Sequence, residues 1–126
     1  MQTPTELKYS ATHQWARLES DGTVVIGITD YAQNELGDVV FVEAPRLGDK
    51  MSAGEQICIV ESVKTASEVY APVSGEIIAI NTQLDSHPEL VNDEPYGQAW
   101  FCRMRPTDPA ELELLMNAEA YRKHTE

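Results

Sequence analysis

The sequence predicts a mainly β fold, either a sandwich or a barrel of short strands. Runs rich in Val, Ile, Tyr, Phe and Trp recur along the chain, and turn-forming pairs such as Asp21-Gly22 and Ser74-Gly75 separate them. No long helical periodicity lies between these runs, which is typical of sandwiches and barrels. The seven predicted strands are His13–Glu19, Thr23–Ile28, Val39–Glu43, Gln56–Val63, Ser67–Ala71, Glu76–Asn81 and Ala99–Met104.

One short helix is predicted inside this run of strands. Asp30–Leu36 lies between the second and third strands, Thr29 is in position to cap it, and Gly37 follows its last residue. A threonine hydroxyl at the N-cap satisfies a backbone N–H that would otherwise lack a partner, and glycine readily adopts the left-handed conformation that ends a helix. The signals at both ends therefore predict a helix with these bounds.

A second helical segment is predicted at about residues 108–123. Asp108 can cap it, Pro109 fits its first position, and Glu111 stands where a capping box requires an acidic residue. An apolar stripe follows, and basic residues lie near the C-terminal end, where the helix dipole favours cations. We interpret the stretch as one or two short helices packed on the β-core. The stripe consists of Leu112, Leu115 and Met116, continued less regularly by Ala118 and Tyr121.

Length and charge restrict the classes of partner. A chain of 126 residues suits one domain, residues 1–126. Nine Lys and Arg against 21 Asp and Glu give a net charge of −12, and phosphate groups repel such an excess. No secretory signal is visible, and the apolar runs are too short for a membrane span. We therefore expect a cytoplasmic monomer that binds neither nucleic acid nor membrane.

The sequence contains no standard enzyme motif. It has no Gly-rich phosphate loop, HExxH or CxxC, and its three histidines are isolated from one another. Cys58 and Cys102 lie in separate apolar strands, where buried, reduced thiols are expected. Nothing in the spacing predicts a metal site or a catalytic Cys–His pair, so we expect a protein that is not an enzyme.

The most informative segment is a predicted hairpin at about residues 54–81, with Lys64 at its tip. The tip has no Asn-Gly or Asp-Gly pair, so Ser62–Thr65 must turn through residues that carry side chains, most easily as a type I turn. A lysine held outward on two strands suits covalent attachment of a prosthetic arm, because the arm needs an anchor that does not move. For the spacing alone, an ordinary solvated turn lysine is the more common explanation.

The tip carries Glu61-Ser62-Val63-Lys64, and Ala71-Pro72-Val73-Ser74-Gly75-Glu76-Ile77 follows it. These two motifs resemble the lipoyl-attachment segment of the glycine cleavage H-protein family. Biotin carriers instead place the lysine between methionines, and the lipoyl domains of 2-oxo-acid dehydrogenases typically carry Asp-Lys-Ala. The resemblance continues in order along nearly the whole chain. Its motifs are Leu7-Lys8-Tyr9, Gly27-Ile28-Thr29-Asp30-Tyr31-Ala32-Gln33, Leu36-Gly37-Asp38-Val39-Val40-Phe41-Val42-Glu43, Glu61-Ser62-Val63-Lys64, Ala71-Pro72-Val73-Ser74-Gly75-Glu76-Ile77, Asn81, Pro88-Glu89-Leu90-Val91-Asn92 and Pro95-Tyr96.

The resemblance implies a β-sandwich of the lipoyl/biotinyl type (a barrel-sandwich hybrid) and lipoic acid joined to Lys64 by an amide bond. It also implies a carrier that takes an aminomethyl group from glycine decarboxylase (P protein) to the folate-dependent aminomethyltransferase (T protein). Dihydrolipoyl dehydrogenase (L protein) and a lipoylating enzyme complete the implied partners. The chemistry would belong to the cofactor and these enzymes.

Four more site residues are predicted, two from the resemblance and two from their position beside the lysine. Family members fold the loaded arm into a cleft whose acidic side chains receive its amine, and the matching positions here are Gln14 and Glu68. Both depart from the family pattern, which has Glu and Asp, and Gln14 offers a carbonyl oxygen but no charge. Glu61 and Ser62 flank the lysine, and we expect the lipoylating enzyme to recognise them, although a role in stabilising the turn explains them nearly as well.

Two alternatives to the glycine-cleavage carrier remain. An H-like protein could serve lipoate relay or another lipoyl-dependent system, and the neutral Gln14 keeps this hypothesis open. A non-lipoylated interaction module could instead use the acidic surface, with Lys64 as an ordinary turn residue. Intact mass separates the second alternative from the other two hypotheses, because only a carrier gains a lipoyl group.

Overall fold

The computed structural model describes all 126 residues, and they form two antiparallel sheets with short helices at their margins. One sheet has six strands in the order β1-β2-β3-β9-β8-β5, and the other has three in the order β4-β6-β7. The mainly β architecture predicted from the sequence is confirmed. The strands are β1 Lys8–Tyr9, β2 Gln14–Leu18, β3 Val24–Ile28, β4 Val39–Glu43, β5 Lys50–Met51, β6 Gln56–Ser62, β7 Ala66–Tyr70, β8 Gly75–Ile80 and β9 Cys102–Pro106.

Four α-helices and one 3₁₀ helix complete the chain. The predicted internal helix is confirmed, since the Thr29 hydroxyl accepts from the Ala32 N–H and Gly37 ends the helix at φ 75°. None of the helices is long and apolar enough to cross a membrane. The α-helices are α1 Asp30–Leu36, α2 Gln83–Ser86, α3 Leu90–Asp93 and α4 Ala118–His124, and the 3₁₀ helix is Pro109–Leu114.

The C-terminal segment forms as two pieces, and its predicted capping box is absent. Asp108 caps the 3₁₀ helix through the Ala110 N–H, but the Glu111 carboxylate turns away from that end. It accepts instead from the backbone N–H of Ser74 at 2.8 Å and from the Ser74 hydroxyl at 3.0 Å. Two donors in another strand connection satisfy this carboxylate better than the single N–H of a capping box.

The predicted hairpin at about 54–81 is divided between the two sheets. β6 and β7 pair with each other in the three-stranded sheet, whereas β8 pairs with β9 and β5 in the six-stranded sheet. The chain changes sheet at Pro72–Ser74, after which Gly75 lies directly against the carbonyl oxygen of Arg105. A side chain at position 75 would collide with that backbone, so glycine is required where the strand enters the second sheet.

Two groups of buried side chains hold the elements together. The larger one contains 21 residues from both sheets, with Val24, Ile26, Val60, Ile77 and Met104 fully buried. The smaller one is largely aromatic and attaches α4 to β1 and β2, and its members are Leu7, Tyr9, Trp15, Val25, Ala118 and Tyr121. Both walls of the site described next therefore rest on packed side chains rather than on loops alone.

Candidate functional site

Lys64 lies exposed at the tip of the β6–β7 hairpin, in a turn organised by Ser62. The Ser62 N–H donates to the Thr65 carbonyl at 2.8 Å, and the Ser62 hydroxyl accepts from the N–H groups of Lys64 and Thr65 at 3.3 and 3.2 Å. The hydroxyl thus takes the place of the carbonyl that usually closes a type I turn. No residue of this tip has a positive φ, so the turn needs no glycine.

A second element fixes the tip from outside the hairpin. The Val63 N–H donates to the carbonyl of Asp38 at 3.0 Å, in the segment between α1 and β4. The Lys64 side chain lies along Gly37, where an added Cβ would be 3.3 Å from Cε of the lysine. The lysine therefore leaves a turn that is held by two separate parts of the chain.

Asn92 holds the segment that contacts the tip. Its side-chain N–H₂ donates to the Gly37 carbonyl at 2.8 Å and to the Gln33 side-chain oxygen at 3.0 Å, while its own oxygen accepts from the Val39 N–H at 2.9 Å. One amide thus joins the end of α1 to the start of β4. All of these bonds are charge-free, so they fix geometry without adding electrostatic bias to the lysine.

A cleft of about 400 Å³ opens beside the hairpin, between β7 on one side and β2 and α1 on the other. Half of its 14 lining residues are hydrophobic, and Thr65, the residue after the lysine, is among them. The β7 side consists of Thr65, Ala66, Ser67, Glu68 and Val69, and the β2 side of Thr12, His13 and Gln14, while Ile28, Tyr31, Ala32, Glu35, Leu36 and Val60 form the remainder. The cleft is open to an arm that starts at Lys64.

Gln14 is buried and hydrogen-bonded within the β2 side, at 2% exposure. Its side-chain oxygen accepts from the hydroxyls of Ser10 at 2.7 Å and Thr12 at 2.5 Å, and its Nε2 donates to the Thr12 carbonyl at 2.8 Å. Both acceptor positions of the amide oxygen are therefore filled. The carbonyl oxygen that the sequence offered as an acceptor at this position thus already accepts two bonds inside the protein.

Glu68 is exposed on the β7 side and carries the negative charge there. The Tyr70 hydroxyl donates to its carboxylate at 2.5 Å. This hydrogen bond raises the pKa of the Tyr70 phenol, because the carboxylate favours the protonated donor. The second carboxylate in the cleft is Glu35, which lies exposed on α1.

His13 is a cleft residue that the sequence reading missed. Its φ is 73°, and its Nδ1 lies 2.7 Å from the hydroxyl of Tyr121, which is itself 2.7 Å from the Thr29 hydroxyl. Burial lowers the pKa of His13, nearby His124 lowers it further, and Glu35 acts in the opposite direction. Burial thus favours the neutral ring, whose Nδ1 shares a hydrogen bond with the Tyr121 hydroxyl.

The five predicted site residues form two groups. Glu61, Ser62 and Lys64 lie together on the hairpin tip, and Gln14 and Glu68 both line the cleft. The cleft residues that sequence reasoning missed are His13, Tyr31 and Glu35. A sequence signal for the last two existed, because positions four apart on α1 share one helix face.

The structure offers no other cluster with recognisable chemistry. No group of three His, Cys, Asp or Glu side chains is placed to hold a metal ion. Cys58 and Cys102 are buried and unpaired, as predicted, and burial raises the thiol pKa values of both, that of Cys102 to about 12. Neither thiol is a nucleophile under ordinary conditions.

Comparisons with known proteins agree along nearly the whole chain. The family model described as "Glycine cleavage H-protein" matches residues 7–126. Proteins named glycine cleavage system H protein from Psychrobacter cryohalolentis and Teredinibacter turnerae are each 56% identical, over 94% and 97% of this chain and 94% of theirs. A crystal structure of a glycine cleavage system H protein from Mycobacterium marinum superposes with a TM-score of 0.89 at 38% identity, covering 97% of this chain and 98% of that one.

Proposed function

The chain belongs to the glycine cleavage H-protein family, the lipoyl carriers of glycine cleavage, and on that premise we propose that Lys64 holds its lipoyl group. The observation that supports this assignment is the position of Lys64 on a braced hairpin tip next to a cleft of about 400 Å³. Lys64 is also the only Lys or Arg between Lys50 and Arg103. Lys64 therefore provides the only side-chain amine in this part of the chain to which a lipoyl group could be joined by an amide bond.

The residues present fit such an arm. Its anchor is an exposed amine, and the adjacent cleft combines apolar walls with carboxylates near its mouth. When attached, the lipoyl group would supply the disulfide–dithiol chemistry by which the P, T and L proteins exchange an aminomethyl group and electrons with the carrier. This chain supplies attachment, orientation and shelter from water, and it acts as a non-catalytic, cytoplasmic monomer.

Within the cleft, we assign the electrostatic role to Glu68. An exposed carboxylate on the β7 side can receive an ammonium group, whereas the buried amide of Gln14 already uses its oxygen for Ser10 and Thr12. Gln14 then shapes the opposite wall of the cleft. The arm meets charge on one side and a neutral, packed surface on the other.

Glu61 and Ser62 have separate parts in recognition by the lipoylating enzyme. Ser62 determines the shape of the turn through its hydroxyl, and Glu61 is exposed and paired with Ala66 across the hairpin. The enzyme would thus recognise the conformation of the turn, set by Ser62, and the negative charge of Glu61. The acidic net charge favours brief, salt-sensitive docking with each of the partners.

One observation favours a second candidate, lipoate relay or service to another lipoyl-dependent system. The β2 side of the cleft offers no charge at position 14, and its amide is fully engaged inside the protein. A cleft with less negative charge shelters an amine-bearing arm less well. A relay protein would not need that shelter.

Exchange of bicarbonate into glycine by a glycine decarboxylase tests the proposal. The lipoylated wild type should support exchange, Lys64→Arg should abolish it, and the matched control Lys123→Arg should retain it, since Lys123 is exposed at the other end of the chain. Exchange by the Lys64→Arg protein would contradict the assignment of Lys64. A wild type that is lipoylated but inactive would favour the relay.

A further inference from the structure

Three large apolar side chains near the hairpin tip are exposed to solvent. Val40 is 52% exposed, Phe41 49% and Val63 70%. Single exposed apolar residues are common on protein surfaces, but three beside one functional lysine form a feature that needs an explanation. We call Val40, Phe41 and Val63 the tip patch.

Strand pairing places the tip patch next to Lys64. β4 lies against β6 with Phe41 opposite Glu61 and Val39 opposite Ser62, and a register shift at Val40 interrupts the pairing. Because of this bulge, two consecutive residues of β4 are exposed instead of one. Val63 joins them from the turn after β6, where its N–H donates to the carbonyl of Asp38, just before β4.

Acidic side chains surround the tip patch. Asp38, Glu43 and Glu61 are exposed around it. Apart from Lys64, no Lys or Arg occurs between Arg17 and Arg46 or between Lys50 and Arg103. A partner that fits this surface has an apolar centre with a basic rim, which matches the anatomy of specific interfaces.

We propose that the tip patch is the docking surface for the enzyme that acylates Lys64, an inference that rests on the proposed lipoyl attachment. The reason is distance. An enzyme that modifies the bare amine must bring its active site into bonding contact with Nζ, so its surface must cover the residues beside the lysine. Enzymes that act at the far end of a long arm can work without touching them.

The acylation step needs only an activated lipoyl donor of the acyl-adenylate class. The neutral Lys64 amine attacks the carbonyl carbon, the C–N amide bond forms, and the C–O bond to the phosphate breaks. AMP leaves with the electron pair of that bond, and the amine loses its proton to solvent. No oxidation or reduction occurs, so the step asks nothing of this chain beyond presenting Nζ correctly.

The test is the rate at which the apo protein gains mass when a lipoate–protein ligase is supplied with lipoate and ATP. Phe41→Ser should lower kcat/KM by about tenfold, through KM, because truncating a central apolar contact weakens docking. Val40→Ser gives a second, independent variant at the bulge. Leu114→Ser is the matched control, since Leu114 is also apolar and is 84% exposed. It lies far from the tip, because its 3₁₀ helix is hydrogen-bonded to Ser74, which follows the opposite end of β7.

Each outcome bears on the proposal. Slow lipoylation of Phe41→Ser and Val40→Ser with a normal Leu114→Ser supports it, provided that the fully lipoylated variants then exchange glycine carbon at the wild-type rate. Normal lipoylation of both variants would overturn it. If the lipoylated variants lost glycine-exchange activity to the same extent, the proposal would also be overturned, because the patch would then be a docking surface for the decarboxylase. Failure of the wild type to gain mass would instead contradict the proposed function itself.

Discussion

The two sides of the cleft carry their polar groups in opposite ways. On the β2 side, Gln14 is buried and every polar atom of its side chain has a partner inside the protein. On the β7 side, Glu68 is exposed, and its carboxylate accepts a hydrogen bond from the hydroxyl of Tyr70 and from no other protein group. The polar group on the β2 side therefore contributes to the stability of the fold, whereas the carboxylate on the β7 side is available to bind a group that enters the cleft. Substitutions on the two sides should separate stability from function.

The largest difference is expected at the aromatic support behind the β2 side. Tyr121 is fully buried, stacks on Tyr9 at 4.7 Å and bonds to His13. Tyr121→Ala should lower the free energy of unfolding by about 3–5 kcal/mol, because it empties a packed aromatic site. Tyr70→Ala, on the β7 side and half-buried, should cost about 1 kcal/mol or less. Equal losses of unfolding free energy for the two variants, measured by urea denaturation, would contradict the difference between the two sides of the cleft.

Gln14 gives the next largest effect. Gln14→Ala leaves the Ser10 and Thr12 hydroxyls without their shared acceptor, and it should cost about 1–3 kcal/mol. The control is Glu68→Ala, which removes an exposed carboxylate and should stay within about 0.5 kcal/mol of the wild type. A neutral Gln14→Ala in chemical denaturation would show that the amide does not contribute to the stability of the fold.

A pH dependence follows from His13. Its pKa is lowered in the folded protein, so below the ordinary histidine value of 6.5 the unfolded chain binds the proton more readily. The stability contributed by the neutral ring is thus complete above that pH and is lost as the pH falls from there toward the lower folded pKa. His124 and Glu35 are the other titrating groups near the ring.

Thermal unfolding measures this effect. Between about pH 7.5 and about pH 5.5, a range that includes the ordinary histidine pKa, the wild type should lose more stability than His13→Asn. Asparagine tolerates the left-handed backbone at this position, so the variant keeps the φ of 73°. His87→Asn, in an exposed turn, is the control and should behave as the wild type does. Identical pH profiles for all three would contradict the role of His13.

The smallest prediction concerns the pKa of Tyr70. Glu68→Ala removes the hydrogen bond that raises it, so the phenol pKa should fall toward its ordinary value of 10.0. Glu43→Ala, which does not contact Tyr70, should leave that pKa unchanged. NMR titration of labelled tyrosine distinguishes the two. An unchanged Tyr70 in the Glu68 variant would mean that the bond does not persist in solution.

The strands that the sequence predicted are those with strong alternation or long β-branched runs. Val24–Ile28 and Val39–Glu43 agree with the structure to within one residue at each end. The elements that the sequence did not predict are too short to show a period: β1 and β5 have two residues each, and α2 and α3 have four. Two- and four-residue segments exist because of their tertiary partners, which no local pattern records.

The same limit explains the errors at the site. Glu111 fits a capping box by spacing, but its carboxylate bonds to Ser74, 37 residues earlier. The sequence shows that Gln14 carries an acceptor oxygen, but not that the Ser10 and Thr12 hydroxyls donate to it. Lys64 could be proposed as the attachment residue because its motif is long and specific. The surroundings of these residues depend on the folding of distant segments, so only the structure reveals them.

The measurement that tests the account most directly is intact mass, followed by peptide mapping, of protein produced in cells that make lipoate. We predict the gain of one lipoyl group, located on the peptide that contains Lys64, and no gain for Lys64→Arg. The remaining lysines, Lys8, Lys50 and Lys123, should stay unmodified. An unmodified wild type, or a lipoyl group on any other lysine, would contradict the central claim.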